Sequence, residues 1–332
     1  DLYPKSIFTQ IKYNSEKKFF NNEYTKTLKE ISKGISEFYN GKIAMDITNE
    51  VNKSINSGKL SLEDLKEYKI KKKPALCHTL ESGYKVCGPN LPSSGTICIL
   101  QSLILFEEIF NKDIKSNFDL NENINEILDI LNFIYYYRDL ELADSQFINL
   151  DVSKILNKDY ILKKFFKYKK SNKTVLINNF EEVFNSTSHF SLVDKYKNVL
   201  SATSSIESSF GSRLFTNGFF LNNQLTDFSF KTIDESGNLI KNSPAPGKKP
   251  LSSMSPLIIF DKNDDWLYTI GSPGGKAIIS YVFKSLLSLI YMQENMEKAI
   301  KSPNYIRIKN KTFVENESFK LILGDKVIIR DL

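Results

Sequence analysis

A chain of 332 residues, 41% hydrophobic and 25% charged, has globular composition and is long enough to bury a large core in two closely packed layers or domains. Its net charge of +6 is mild for that length. Lys71–Lys73 is only a short run at a solvated turn, so a dedicated nucleic-acid surface is disfavoured.

Cys77, Cys87 and Cys98 are too few for a zinc cluster, and an odd count makes no disulfide framework. His78 and His189 lie too far apart for a metal-binding helix. The most apolar stretches, Ile97–Phe106 and Ala277–Met292, are broken by Gln101, Ser102 and Lys284, short of the roughly 18 apolar residues a membrane span needs. The chain opens at Asp1, and Asp1–Phe20 carries no signal-peptide pattern, as expected of a processed product or a fragment.

In chain order, helical spacing of Leu28, Ile31, Ile35 and Phe38 predicts a helix over Thr25–Tyr39, and Ile43–Ile55 repeats the pattern. Ser61 and Asp64 form the loose capping-box pair that opens a short helix through Tyr68. Gly83–Cys87 reads as extended, and Gly88–Gly95 (GPNLPSSG) as irregular loop. Ile97–Phe110 and Glu122–Tyr137 read as long amphipathic helices, and the polar Lys167–Phe184 as an exposed linker.

After Thr187 the pattern turns to strands. Thr187–Val193 and Val199–Ser205 flank a turn at Asp194–Asn198, Phe219–Leu221 is a short apolar piece, and Leu257–Phe260 with Trp266–Ile270 make a second hairpin around Lys262–Asp265. Gly271-Ser272-Pro273-Gly274-Gly275 then leads into a helix, Ala277–Met292. Helices followed by hairpins imply an α+β architecture.

Histidine is scarce and no Gly-x-Ser-x-Gly elbow occurs, so a Ser-His-Asp site has little support. Thr187 offers another route. Were the Ser186–Thr187 bond cut, the freed α-amino group of Thr187, with a reference pKa of about 7.7–8.0, would be a base on the same residue as the hydroxyl nucleophile. Two glycines between a strand and a helix, Gly274 and Gly275, can converge backbone N–H groups on an oxyanion. Taken singly, each of these features also fits an ordinary turn or capping role.

Together they form a pattern. TSHFSLVD (187–194), FGS (210–212), LNNQLTDF (221–228), PLSSMSP (250–256) and GSPGG (271–275), in this order, resemble the small subunit of the gamma-glutamyltransferase family, and come close to some bacterial cephalosporin acylases. EFYNGKIA (37–44), LSLEDLKEYK (60–69) and GPNLPSSG (88–95) resemble the C-terminal part of that family's large subunit, so the resemblance runs from about Thr25 to the end. It implies an αββα N-terminal-nucleophile (Ntn) hydrolase sandwich, incomplete here, with residues 1–186 as large-subunit region and 187–332 as small-subunit region.

The resemblance further implies an autoprocessing enzyme that hydrolyses or transfers γ-glutamyl groups from glutathione and related donors to water, an amino acid or a peptide. It makes Thr187 the nucleophile, released by cleavage after Ser186, with Ser205 at a position where the family usually has threonine. Gly274 and Gly275 would be the oxyanion pair, Ser252 and Ser253 the α-carboxylate hydroxyls, and Gln224, Asp227 and Glu207 the α-amino site, Glu207 replacing the asparagine of many members. His189, two residues past the nucleophile, would be structural. No metal or prosthetic group is called for, the two chains of one precursor are each other's partners, and export to the periplasm or cell exterior is the family precedent.

Departures are equally specific. Thr96 replaces the second glycine of the family's PSSGG motif, and Phe228–Pro250 holds no tyrosine gate, which favours acylase activity on larger donors as the alternative. The chain looks truncated at both ends, its C-terminus stopping before the family's last strand pair. The family's carboxylate-clamping arginine lies in the part not represented, so no residue here is expected to inherit that role. These truncations keep a non-catalytic remnant as a further reading.

Overall fold

The computed structural model describes residues 20–116, 118–171, 186–324 and 327–330. The chain divides into two compact units, Asp1–Lys72 with Ile206–Gln224, and Lys73–Ser205 with Leu225–Leu332.

The first unit holds helices α1 (Asn22–Lys33), α2 (Ser36–Asn40), α3 (Lys42–Lys53) and α4 (Leu62–Lys66). Where one helix was expected over Thr25–Tyr39, two occur, because Gly34 ends α1 with its N–H on the Ile31 carbonyl. Ser61 does cap α4 in a capping box with Asp64. The short strands Phe215–Thr216 and Phe219–Phe220 pair in this unit around Gly218. A Cβ on Gly218 would meet the Tyr24 nitrogen at 2.2 Å, and its φ is +80°, so glycine is required where the hairpin meets α1. Asn21 Nδ2 donates to the Gly218 carbonyl and Thr27 Oγ1 to that of Asn217, both at 2.7 Å.

The second unit is built on a four-stranded antiparallel sheet, in spatial order β1 (Leu76–Thr79), β2 (Lys85–Gly88), β7 (Leu257–Phe260), β8 (Trp266–Ile270). The β7–β8 hairpin has the bounds expected of two apolar runs around the Lys262–Asp265 turn, whereas β1 has no counterpart among the expected strands. Cys77 and Cys87 face each other across β1 and β2, 4.1 Å apart at Cα, and are disulfide-bonded, which corrects the inference from the odd cysteine count. Three cysteines make one bridge and leave Cys98 as a buried thiol, which burial pushes up to about 12.

Helices α5 (Gly95–Ser116), α6 (Leu120–Glu141), α7 (Val152–Ile155), α8 (Lys158–Lys170) and α9 (Ile278–Leu286) supply most of this unit's apolar core, which includes Leu103, Phe106, Leu131, Phe133 and Phe283. The linker expected at Lys167–Phe184 begins inside α8, and its residues 172–184 lie outside the described residues. Strands β9 (Tyr305–Ile308), β10 (Lys311–Val314) and β11 (Val327–Ile329) form a separate sheet, and α6 packs against β9. Among the described residues no helix is long and apolar enough to cross a membrane.

Strands from both sides of the Ser186–Thr187 bond share the main sheet. β2 precedes the bond and β7 follows it, yet Val86 pairs with Ile259 and Cys87 with Ile258. A break at 186–187 would therefore leave two polypeptides joined through one sheet and one core.

Candidate active site

Thr187 and Ser205 lie on the two-stranded ribbon β3 (Ser186–Val193) and β4 (Val199–Glu207). Alternation puts Thr187, His189 and Ser191 on one face. Thr187 Oγ1 donates to Ser205 Oγ at 3.3 Å, and His189 Nδ1 meets Thr203 Oγ1 at 2.9 Å. This polar face rests on the end of β8: Ser201 Oγ donates to the Ile270 carbonyl at 3.2 Å, and Ser191 Oγ is 3.1 Å from Thr269 Oγ1. The His189 ring lies so close to Gly271 that a Cβ there would meet Nδ1 at 2.3 Å. Burial lowers the His189 pKa, so the ring is neutral at neutral pH and holds its neighbours without supplying a charge.

β8 runs through Gly271–Gly275 into a 3₁₀ turn (Gly275–Ala277) and then α9. Gly274 has φ +123° and Gly275 +56°, and a Cβ on Gly274 would meet Tyr281 Cε2 at 2.7 Å. Glycine is needed there for both conformation and space.

Ser252 and Ser253 precede β7. The Ser252 carbonyl accepts from Ser94 N at 2.8 Å and from Ser94 Oγ at 2.7 Å, while Ser252 N donates to the Pro92 carbonyl at 2.9 Å. Ser252 Oγ accepts from Met254 N at 3.2 Å, and Ser253 Oγ from Arg138 Nη2 at 2.9 Å. Gly95 allows the close approach, since a Cβ there would meet Ser255 Oγ at 1.9 Å. Thr96, next in line, is fully buried, and its hydroxyl has no hydrogen-bond partner among the described residues.

Asp227 closes the 3₁₀ turn Gln224–Asp227. Its carbonyl accepts from Asn242 Nδ2 at 2.8 Å, and Asn242 Oδ1 accepts from Leu251 N at 3.1 Å, so one asparagine ties the Asp227 segment to the serine loop. Glu207 and Gln224 belong to the first unit. Glu207 is buried at φ +73°, and its Oε2 accepts from Asn223 Nδ2 and Ser208 Oγ, both at 2.5 Å. Gln224 N donates to Asn222 Oδ1 at 3.0 Å.

The sequence predicts α6, over Glu122–Tyr137, but not that its C-terminal turns hold two of these loops. Tyr135 and Arg138 sit three residues apart in the last turns of α6 and so share a face. Tyr135 Oη donates to the Lys276 carbonyl at 2.7 Å, beside the glycine pair, and Arg138 reaches Ser253. One signal was present. Arginine is rare in this lysine-rich chain, limited to Arg138, Arg213, Arg307 and Arg330, and Arg138 ends an otherwise apolar stretch.

The family model for gamma-glutamyltranspeptidase matches residues 5–325. The glutathione hydrolase proenzyme of Bacillus subtilis subsp. natto is 31% identical over 305 residues, covering 85% of this chain and 50% of that protein. That of Escherichia coli K12 is 32% identical over 283 residues, covering 82% and 48%. The chain thus spans about half the length of these curated relatives. The crystal structure of cephalosporin acylase from Bacillus halodurans matches with a TM-score of 0.74 at 18% identity, over 93% of this chain and 56% of that one. The fold is therefore the α+β sandwich of Ntn hydrolases, represented here in part. The chain belongs to the gamma-glutamyltranspeptidase family.

Proposed function

We propose that this chain carries the nucleophile and much of the donor site of an autoprocessing γ-glutamyltransferase or glutathione hydrolase, divided on maturation into residues 1–186 and 187–332. The observation that carries the reading is the half-buried Thr187 hydroxyl, hydrogen-bonded to Ser205 on the face of β3 that packs against the approach to Gly274 and Gly275. Ser191 meets Thr269 and His189 meets Gly271, so the same direction carries Thr187 toward the glycine pair.

In maturation Thr187 Oγ1 attacks the Ser186 carbonyl carbon, the C–N bond breaks, and the proton passes to the departing nitrogen. Water hydrolyses the resulting ester, leaving a carboxylate on Ser186 and a free amine on Thr187. In turnover that amine accepts the hydroxyl proton as Oγ1 attacks the γ-carbonyl of the donor. The N–H groups of Gly274 and Gly275 take the oxyanion, and the proton goes to the leaving amine. The γ-glutamyl ester on Thr187 is resolved by water or by an amino acid or peptide amine.

Ser252 and Ser253 suit the α-carboxylate because each hydroxyl oxygen already accepts an N–H, which leaves its proton to donate. Asp227 supplies a carboxylate for the α-ammonium. This chemistry calls for no metal or prosthetic group. The Cys77–Cys87 bridge supports an oxidising compartment, the periplasm or cell exterior.

Kinetics on γ-L-glutamyl 4-nitroanilide beside glutaryl 4-nitroanilide, which lacks only the α-ammonium, test the donor class. The reading expects the first to be turned over in preference. Turnover of glutaryl alone makes the protein an acylase, and a processed chain inert on both is a non-catalytic remnant.

A further inference from the structure

We infer that Arg138 is a positioning residue of the donor site: its guanidinium occupies the acceptor side of the Ser253 hydroxyl and so turns that hydroxyl's proton toward the substrate α-carboxylate. The inference rests on the proposed role of Ser252 and Ser253 and adds to it a buried cation that touches the serine and not the substrate.

Arg138 is only 4% exposed, and each part of its fork is engaged. Nε donates to Ser94 Oγ at 2.8 Å, Nη2 to Ser253 Oγ at 2.9 Å, and Nη1 to Asp139 Oδ1 at 2.7 Å. A guanidinium can only donate, whereas a serine hydroxyl has one proton and two acceptor sites. At Ser94 the proton is committed, because Oγ donates to the Ser252 carbonyl. At Ser253 the oxygen receives Arg138, and among the described residues its own proton meets no acceptor. A carboxylate arriving at Ser253 therefore finds an O–H already aimed outward and polarised by the cation behind it.

The fork also fixes the loop. By holding Ser94 and Ser253 together, Arg138 sets residues 92–94 against 252–253, where the two backbone segments bridge at Ser93 and Ser252. Lysine cannot reproduce this, since an ammonium lacks the rigid planar spread that reaches both oxygens. Cleavage at Ser186–Thr187 would put Arg138 and Ser253 on different polypeptides, so the contact also spans the two mature chains.

The test is the kinetics of Arg138→Met and Arg138→Lys on two donors, γ-L-glutamyl 4-nitroanilide and 4-aminobutyryl 4-nitroanilide, which keeps the ammonium but lacks the α-carboxylate. The expected result is a rise in KM of about tenfold or more for the γ-glutamyl donor, with kcat changed far less, and KM for the decarboxylated donor within about twofold of wild type. Ser253→Ala added to either variant should produce little further loss, because both changes remove the same oriented proton. Arg138→Lys retains the buried charge, so it carries the same comparison where the methionine variant fails to fold.

An unchanged KM in a folded, processed variant overturns the inference, as does equal loss on both donors, which marks a purely structural role. Wild-type protein that turns over no γ-glutamyl donor overturns instead the reading of the site on which the inference rests.

Discussion

The Oγ1 of Thr187 lies 3.3 Å from the Oγ of Ser205 across the β3–β4 ribbon, with the threonine as donor. That is long for an O–H···O bond, as catalytic hydrogen bonds often are before substrate or a transition state tightens them. Ser205→Ala should slow release of the fragment beginning at Thr187 about tenfold, the equivalent of about 1.4 kcal/mol. Ser205→Thr should retain most of the wild-type rate, since the hydroxyl survives. A gel time course after rapid purification measures both.

Gly274 admits no side chain. Alanine there would adopt a strained positive φ and press its Cβ to 2.7 Å from Tyr281 Cε2. Gly274→Ala should lower kcat on γ-glutamyl 4-nitroanilide by about 10²–10³, the loss typical of one displaced oxyanion donor. An alanine variant with full turnover would show that this backbone N–H takes no part.

The cysteines make a prediction that can be counted. Native protein should give no thiol with Ellman's reagent, because Cys77 and Cys87 are bridged and Cys98 is buried with its thiol pushed up to about 12. Unfolding without reductant should expose one thiol, and unfolding with reductant three. The bridge closes a loop of sequence separation 10, so Cys77→Ser with Cys87→Ser should lower stability by about 2–3 kcal/mol in chemical denaturation.

Stability should fall as the solution is acidified below about pH 6.5. Burial lowers the pKa of both His78 and His189 in the folded chain, against the partial opposition of Glu107 at His78. The unfolded chain then takes up protons first, so the contribution of these groups is full above their unfolded pKa of about 6.5 and declines below it. Thermal melts between pH 7.5 and 5.5 should show a falling Tm, with a smaller drop in His189→Gln. A pH-independent Tm in the wild type would rule the effect out.

Thr96 carries a buried hydroxyl with no partner among the described residues. Thr96→Val keeps the shape and removes the desolvated group, so it should leave stability unchanged or raise it by about 1 kcal/mol. A marked loss in denaturant melts would mean that the hydroxyl is satisfied in solution.

The sequence was most readable where structure is local. Two short apolar runs and the Lys262–Asp265 turn between them delimit β7 and β8 without error, and the Ser61–Asp64 pair marks a real cap, because each pattern needs only near neighbours. β1 was invisible. Four residues, Leu-Cys-His-Thr, show no period of their own and become a strand only by pairing with β2. Arg138 was missed for the same reason. Its partners Ser94 and Ser253 stand 44 and 115 residues away, and no spacing rule reaches that far. Among the candidate residues, Ser253 with its loop is assembled by tertiary contacts of this kind, which only the ordered set of motifs foreshadowed, whereas the hairpin read over Thr187–Val193 and Val199–Ser205 already sets Thr187 opposite Ser205.

The central claim is that Thr187 becomes an N-terminal nucleophile. Intact mass and N-terminal sequencing of the purified chain over time, beside Thr187→Ala, test it most directly. The account predicts fragments of 186 and 146 residues from the 332-residue chain, the smaller beginning at Thr187, and an alanine variant that stays whole. A folded wild-type chain that remains intact indefinitely, or one cut equally in the alanine variant, would contradict it.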